Sequence, residues 1–526
     1  MIYVILGQTA SGKTSLALEL AKKLRLPIIS ADAFQCYKEM NIGTDKPSRE
    51  KVSGIDYLFY DEYHVDEDVS VALFQKKYRP ILEAYVKANQ DVLIVGGTFL
   101  YIKALLFNYQ FKENDTSTSK YRSMTLSQLQ SELKEKNPHL YEEIDNQNPR
   151  RLVRALEQMD EGIDRDQVLE ANDNTPLYPT VFFQIDIDKE EGNILIDKRV
   201  DKMFEEGLVS EVKDLLAKYP KDLKAFQAVG YKEIISGLEN GSSEDEMKEL
   251  IKVHTHQYAK KQRTFLRNQF KDVLTCSKDK IKEIIEYNHL LKERTSVLLK
   301  PGMLSEIESS KVLLVGVGGV GASVLNNLVR LGFIDITIID DDIVSPSNIN
   351  RQILYTYKDI NKDKVQAAEE IAHELNPLAV VKAIKRRITA IEDVPDEKFD
   401  YIIDCIDDVK GKVVLYKKAV SDESFFISSQ GLGFQYDSTK VRYGKLKEAN
   451  DPLARSFKEA LKKDGISQSD IDNINIVHSI SARLKGQRNN KTIGSLSTVP
   501  QAGGNAIVSY ILKRLYEEVS HENKKD

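Results

Sequence analysis

The chain has 526 residues, 41% hydrophobic and 30% charged, and carries a formal net charge of −6. That length predicts three or four domains, and the composition excludes both a disordered chain and a uniformly basic nucleic-acid wrapper, though not a local basic patch. Cys36, Cys276 and Cys405 stand far apart with no C-x-x-C pair, which argues against structural zinc and a disulfide framework. The opening MIYVILGQTA runs straight into a motif without a basic leader, and no apolar run approaches the ~18 residues of a membrane span, so a cytoplasmic protein is expected.

The first element is a short apolar strand from Ile2, followed by Gly7-Gln-Thr-Ala-Ser-Gly12-Lys13-Thr14 and a helix. This fits G-x-x-x-x-G-K-[ST]. Its backbone N–H groups converge on phosphate oxygens, with Thr9 and Ser11 inside the loop, Lys13 supplying charge and Thr14 offering a hydroxyl to Mg²⁺. The next strand, LPIISAD, leads to Asp32. A carboxylate there suits a general base, and equally a Mg²⁺ ligand or a helix cap. A third strand, DVLIV, runs into Gly96-Gly97-Thr98, where small residues admit a ligand and Thr98 adds a hydroxyl, or simply form a tight turn.

Residues 107–190 read as a small, mainly helical insertion, and residues from about 193 to 293 as helical and charge-rich. Within the latter, Lys260, Lys261, Arg263 and Arg267 form a basic stripe suited to a phosphate backbone, or a solvated helix face. The segment 281–293 is the expected linker, as a tether or a connecting helix, between two α/β lobes, 1–280 and 294–526.

The second lobe restarts the pattern. Strand KVLLVG leads into Gly316-Val-Gly318-Gly319-Val-Gly321, and Asp340 closes the next strand where a carboxylate would meet a ribose. Alone, this suggests a dinucleotide oxidoreductase. Asn348, Arg351 and Lys364 follow, and Asp407 ends the strand DYIIDCID. Two cations and a Mg²⁺-binding Asp equip a site for a triphosphate rather than for hydride transfer.

GQTASGKT, SADAFQCYKEMNIGTDKPS, DVSVALF, VGGTFLYIKAL, RRLVRALE, KRVDKMFEEGLVSEV, FQAVGYKE and THQYAKKQRTFLRNQF stand in order, and over residues 1–272 the chain resembles the tRNA dimethylallyltransferase family. The resemblance implies transfer of dimethylallyl from its diphosphate to the exocyclic amine of the adenosine 3′ of the anticodon. It implies the P-loop as diphosphate cradle, Mg²⁺, Asp32 as base, Thr98 as a positioning group, Gln35 against a flipped-out base, and the basic stripe against an anticodon stem-loop. Ala33, Leu195, His256 and Phe265 replace the family's usual Ser, Arg, Arg and Trp.

Over residues 290–520 the chain resembles the ubiquitin-activating-type adenylating fold shared with molybdopterin- and thiamine-pathway activators (ThiF/MoeB-type). That resemblance implies ATP as substrate, Asp340 on the ribose, Arg351 and Lys364 on phosphates, and Asp407 on Mg²⁺. It also implies a homodimer through this lobe, with Arg294 reaching the neighbour's ATP. SNINRQI, NDPLARSFKEALKK and GSLSTVPQAGGNAIVSYILKRL are most similar to the tRNA threonylcarbamoyladenosine dehydratase branch. No Cys follows Asp407, so a thioester with a ubiquitin-like protein is not expected. The fold expected is α/β: a P-loop NTPase-like parallel sheet with a helical insertion, fused to a Rossmann-like adenylating domain. The function expected is a bifunctional tRNA-modifying enzyme. The alternatives are a second lobe that only dimerises or that activates a protein carboxylate, and a first lobe acting as a small-molecule kinase.

Overall fold

The computed structural model describes residues 1–109, 120–160, 175–484 and 493–522. Its first sheet has the order β3-β2-β4-β1-β5-β6, from β1 (Ile2–Leu6), β2 (Ile28–Ser30), β3 (Tyr57–Leu58), β4 (Val92–Val95), β5 (Thr180–Ile185) and β6 (Val273–Cys276). Every pairing in it is parallel. All five residues of β1 are fully buried. That explains its unbroken apolar run, because a parallel sheet is covered by helices on both faces.

The second sheet has the order β12-β13-β11-β10-β7-β8-β9. Its strands are β7 (Lys311–Val315), β8 (Asp335–Asp340), β9 (Val380–Lys385), β10 (Tyr401–Asp404), β11 (Phe425–Ser429), β12 (Val441–Lys445) and β13 (Asn475–Ser479). Only the edge strand β12 runs antiparallel. The molecule is therefore α/β with two mainly parallel sheets. No helix among the described residues is long and apolar enough to cross a membrane.

Two boundaries differ from the expectation. The helical insertion ends before residue 180 rather than at 190, because β5 belongs to the central sheet beside β1. Its helices Leu126–Lys136, Pro138–Glu143 and Pro149–Asp160 close on a small core of their own, built on Leu129, Leu133, Leu152 and Leu156. Asp407 lies three residues past the end of β10 rather than at its end. The linker segment 281–293 is a connecting helix, part of Lys278–Leu298. Its Ile281, Ile284 and Ile285 pack with Tyr3 and Ile5 of the first lobe and Leu378 of the second. Farther along, Lys292 is buried and its Nζ lies 3.0 Å from Asp91 and 2.6 Å from Glu308, one carboxylate from each lobe.

Candidate functional site

The loop after β1, the turn after β2 and the turn after β4 meet at one cavity of about 1000 Å³. They meet because all three follow parallel strands that end on the same side of the sheet. Thr9, Gly12, Lys13, Thr14, Asp32, Gln35, Gly96 and Gly97 line it. Gly7 and Ser11 shape the loop from behind: Gly7 takes φ +155°, and Ser11 is buried. Gly96 is needed because a Cβ there would lie 2.2 Å from the carbonyl oxygen of Ala31. That contact draws the β4 turn against the Asp32 turn.

Lys13 is 8% exposed, and its Nζ donates to the Gln8 carbonyl at 2.6 Å. Burial, with the neighbouring Arg199 cation adding to it, lowers its pKa to about 7. Asp32 Oδ1 accepts the backbone N–H groups of Phe34 (3.0 Å) and Gln35 (3.3 Å). Its other oxygen takes no hydrogen bond among the described residues. Thr98 does not line the cavity; its Oγ1 accepts the Ala33 N–H at 3.2 Å, bracing the turn that carries Asp32. Gln35 is 6% exposed, and its amide donates to the Thr44 carbonyl at 3.1 Å, so it holds the Asn41–Asp45 loop as well as lining the wall.

Several residues that sequence reasoning passed over complete the site. Arg199, on the helix Lys189–Glu205, donates through Nη1 to Thr9 Oγ1 at 2.6 Å. Its Nε lies 3.4 Å from Asp45. Gln262, on the helix Glu244–Gln269, accepts the Thr9 N–H at 2.8 Å and donates to the Gly97 carbonyl at 2.9 Å, stitching the P-loop to the β4 turn. Glu211 accepts the N–H groups of Asn41 (3.1 Å), Ile42 (2.9 Å) and Gly43 (3.3 Å) and the Tyr231 hydroxyl (2.6 Å). Arg199 and Glu211 both lie in KRVDKMFEEGLVSEV, but spacing alone did not mark either. Of the basic stripe, Lys260, Lys261 and Arg267 are exposed, whereas Arg263 turns inward to donate to the Gln8 side chain.

In the second lobe Gly316 follows β7 with φ +88°, and a Cβ on it would lie 2.8 Å from the Cys405 carbonyl oxygen. Gly318 caps the helix Gly319–Leu331, whose first turn holds Gly321. Asp340 is tied to this loop, its carboxylate accepting the N–H of Val317 at 2.8 Å and of Asp342 at 2.9 Å. Burial raises its pKa. Lys364 is 4% exposed, and its Nζ pairs with Asp342 at 2.7 Å. Arg351 passes Gly319, its Cγ 3.7 Å from where a Cβ would be, and donates to the Ser347 carbonyl at 2.8 Å. Asn348 Oδ1 accepts the Ser345 N–H at 3.0 Å, closing the turn before Arg351. Gln352 is 3% exposed, lies beside Gly318, and its Oε1 has no hydrogen-bond partner among the described residues. A glycine loop flanked by a half-buried carboxylate, two cations and an unpaired buried amide oxygen fits a nucleotide. Asp407 is exposed in the loop after β10. Arg294 is exposed on the helix Lys278–Leu298, two residues past Lys292.

Two family models match the chain: one described as IPP transferase over residues 35–269, the other as the ThiF family over residues 293–525. The chain is 38% identical over 289 residues to a tRNA dimethylallyltransferase of Acetivibrio thermocellus, covering 53% of this chain and 92% of that protein. It also aligns with the tRNA delta(2)-isopentenylpyrophosphate transferase structure from Staphylococcus epidermidis at 30% identity and TM-score 0.41, covering 54% of this chain and 97% of that one. The structure of the E. coli tRNA N6-threonylcarbamoyladenosine dehydratase aligns at 27% identity and TM-score 0.41, covering 43% and 94%.

Proposed function

Because the chain belongs, through its N-terminal lobe, to the tRNA dimethylallyltransferase family and carries a ThiF-family lobe at its C-terminus, we propose that it is a bifunctional tRNA-modifying enzyme. The observation that carries the first half is the shared cavity: Asp32 and the phosphate cradle line the same walls. In the transfer, the C1–O bond of dimethylallyl diphosphate breaks and a bond forms from C1 to the exocyclic nitrogen of an anticodon-loop adenosine. The diphosphate departs with the electron pair, and the nitrogen's proton goes to Asp32. Lys13, Arg199 and the P-loop amides stabilise the leaving charge. Thr14 offers a hard oxygen donor in the same cavity, which suits Mg²⁺, and a bound ion would add positive charge beside the diphosphate. The base must leave its stack to enter, which an anticodon loop makes inexpensive. Exposed Lys260, Lys261 and Arg267 would meet the RNA backbone.

For the second lobe, the grouping of Asp340, Arg351 and Lys364 around the glycine loop supports activation of a carboxylate by ATP. The carboxylate of a threonylcarbamoyl group attacks the α-phosphate, pyrophosphate leaves, and an internal nucleophile of the same group then expels AMP. The RNA loses one water overall. Asp340 would hold the ribose, Arg351 and Lys364 the phosphates, and Asp407 Mg²⁺. Cys405, the last cysteine in the chain, is half-buried and its thiol pKa is raised by burial, which suits no thioester.

The test is mass spectrometry of nucleosides from unmodified and threonylcarbamoylated tRNA. Each is incubated with dimethylallyl diphosphate, ATP and Mg²⁺, beside Asp32→Ala and Asp407→Ala variants. A prenyl mass gain lost only in the first variant and a water loss lost only in the second are expected. A prenyl gain with no water loss on any tRNA would overturn the second half.

A further inference from the structure

In a parallel sheet all strands start at one edge and end at the other. The P-loop, Asp32 and Gly96 all follow strand ends in the first sheet, and Gly316, Asp340 and Asp407 stand at or beyond strand ends in the second. The contacts between the lobes lie at the other edge of both. Tyr3, at the start of β1, donates to Asn288 at 2.7 Å, and Asn288 donates to Asn376, ahead of β9, at 3.3 Å. Lys292 bridges Asp91, just before β4, and Glu308, just before β7. Asn89 donates to the Lys300 carbonyl at 2.8 Å. Leu378 and Ile334, ahead of β9 and β8, pack into the first lobe's core.

The sheets are thus joined starting edge to starting edge, and the two sites open at opposite ends of the molecule. The helix Lys278–Leu298 spans the first half of that distance. Lys278 Nζ lies 3.1 Å from the position of a Cβ on Gly12, and Lys292 follows about 21 Å along the axis at 1.5 Å per residue. Strand β7 adds roughly 16 Å before Gly316. Hinging the lobes apart would break a buried cluster in which Lys292 and the N-terminal ammonium of Met1 each pair with both Asp91 and Glu308, so the seam holds the two sites at a fixed separation.

Resting on the bifunctional reading above, we propose that one chain holds two anticodon stem-loops at once, one at each end, and that no RNA passes between the sites without release into solvent. The experiment uses the full chain, dimethylallyl diphosphate, ATP, an unmodified stem-loop and a threonylcarbamoylated one. Each RNA is first turned over alone. Prenylation of the first is then measured with the second at ten times its KM, and native mass spectrometry counts RNAs per chain. The expected result is a KM for prenylation unchanged within twofold, together with a species carrying two different RNAs per chain. A competitive rise in KM of about tenfold, with never more than one RNA per chain, overturns the proposal and leaves the bifunctional reading standing. Failure of the threonylcarbamoylated RNA to react in its own single-substrate arm overturns both.

Discussion

Arg199 and Thr9 are 190 positions apart in sequence, yet the guanidinium of one donates to the hydroxyl of the other at 2.6 Å. The contact brings a permanent cation from the helix Lys189–Glu205 onto the rim of the phosphate loop. A planar, always-charged fork is what a departing diphosphate needs, and lysine does not reproduce it. Arg199→Gln is expected to lower prenyl-transfer kcat by about 10²-fold, with Arg199→Lys recovering only part. Steady-state kinetics checks this, and an unchanged kcat would assign Arg199 to loop structure alone.

Lys13 should make donor binding take up a proton. Burial and Arg199 lower its pKa to about 7, so at pH 8 the free site holds it mostly neutral. A bound diphosphate favours the ammonium and raises that pKa. Affinity for the donor therefore falls as pH rises from 7 towards 9. Calorimetry at pH 8 in two buffers of different ionisation enthalpy should give an uptake approaching one proton. Arg199→Gln should shrink that uptake, because removing a neighbouring cation lets Lys13 stay protonated in the free enzyme.

Glu211 does not line the cavity but ties down three consecutive backbone N–H groups of the Asn41–Gly43 turn. The same loop presents Thr44 and Asp45 to Gln35 and Arg199. Leaving such donors unpaired costs about 1–3 kcal/mol. Glu211→Ala should lower kcat/KM about tenfold while the protein stays folded by circular dichroism. Glu211→Gln, which keeps acceptor oxygen, should fall between.

In the second lobe Lys364 and Arg351 should separate the two activities. Lys364→Ala or Arg351→Ala is expected to reduce RNA-dependent pyrophosphate exchange by about 10²–10³-fold. Prenylation by the same variants should stay within twofold of the parent. Exchange surviving both substitutions would remove these cations from the phosphate site.

The seam makes a stability prediction. Lys292→Met leaves two buried carboxylates, Asp91 and Glu308, to share the single N-terminal ammonium of Met1 at 3.0 and 2.9 Å, a loss of about 3–5 kcal/mol that thermal unfolding would read as a drop in Tm. Burial alone would push the Asp91 carboxyl up, but the Lys292 ammonium overrides it and holds it well below the ordinary range. A depressed carboxyl contributes stability that is present above its unfolded pKa and lost as pH falls through the folded one. The parent should therefore resist acid, and Lys292→Met should unfold at higher pH.

Local spacing made much of this protein legible. The two strand–glycine–helix openings mark the proposed phosphate sites, because a tight turn and converging N–H groups are properties of a few consecutive residues. Asp32 and Asp340 were readable for the same reason: each sits at or just beyond the end of a short apolar strand. The order of motifs was enough to point to two families in one chain. Arg199, Gln262 and Glu211 were not readable, since each reaches the site from a helix remote in sequence, and only packing brings those helices over the P-loop. Arg263 looked like one more outward charge until the helix Glu244–Gln269 was placed and turned it onto Gln8. Nor could the sequence show that Lys292, in what reads as a polar connector, is a buried charge between lobes. A run of charged residues looks the same whether water or two carboxylates neutralise it. Which chemistry belongs to each lobe was thus decided by residues near one another in sequence. Which way the two mouths face was decided by the tertiary structure alone, because strand direction and the seam at the starting edges arise from contacts hundreds of residues apart.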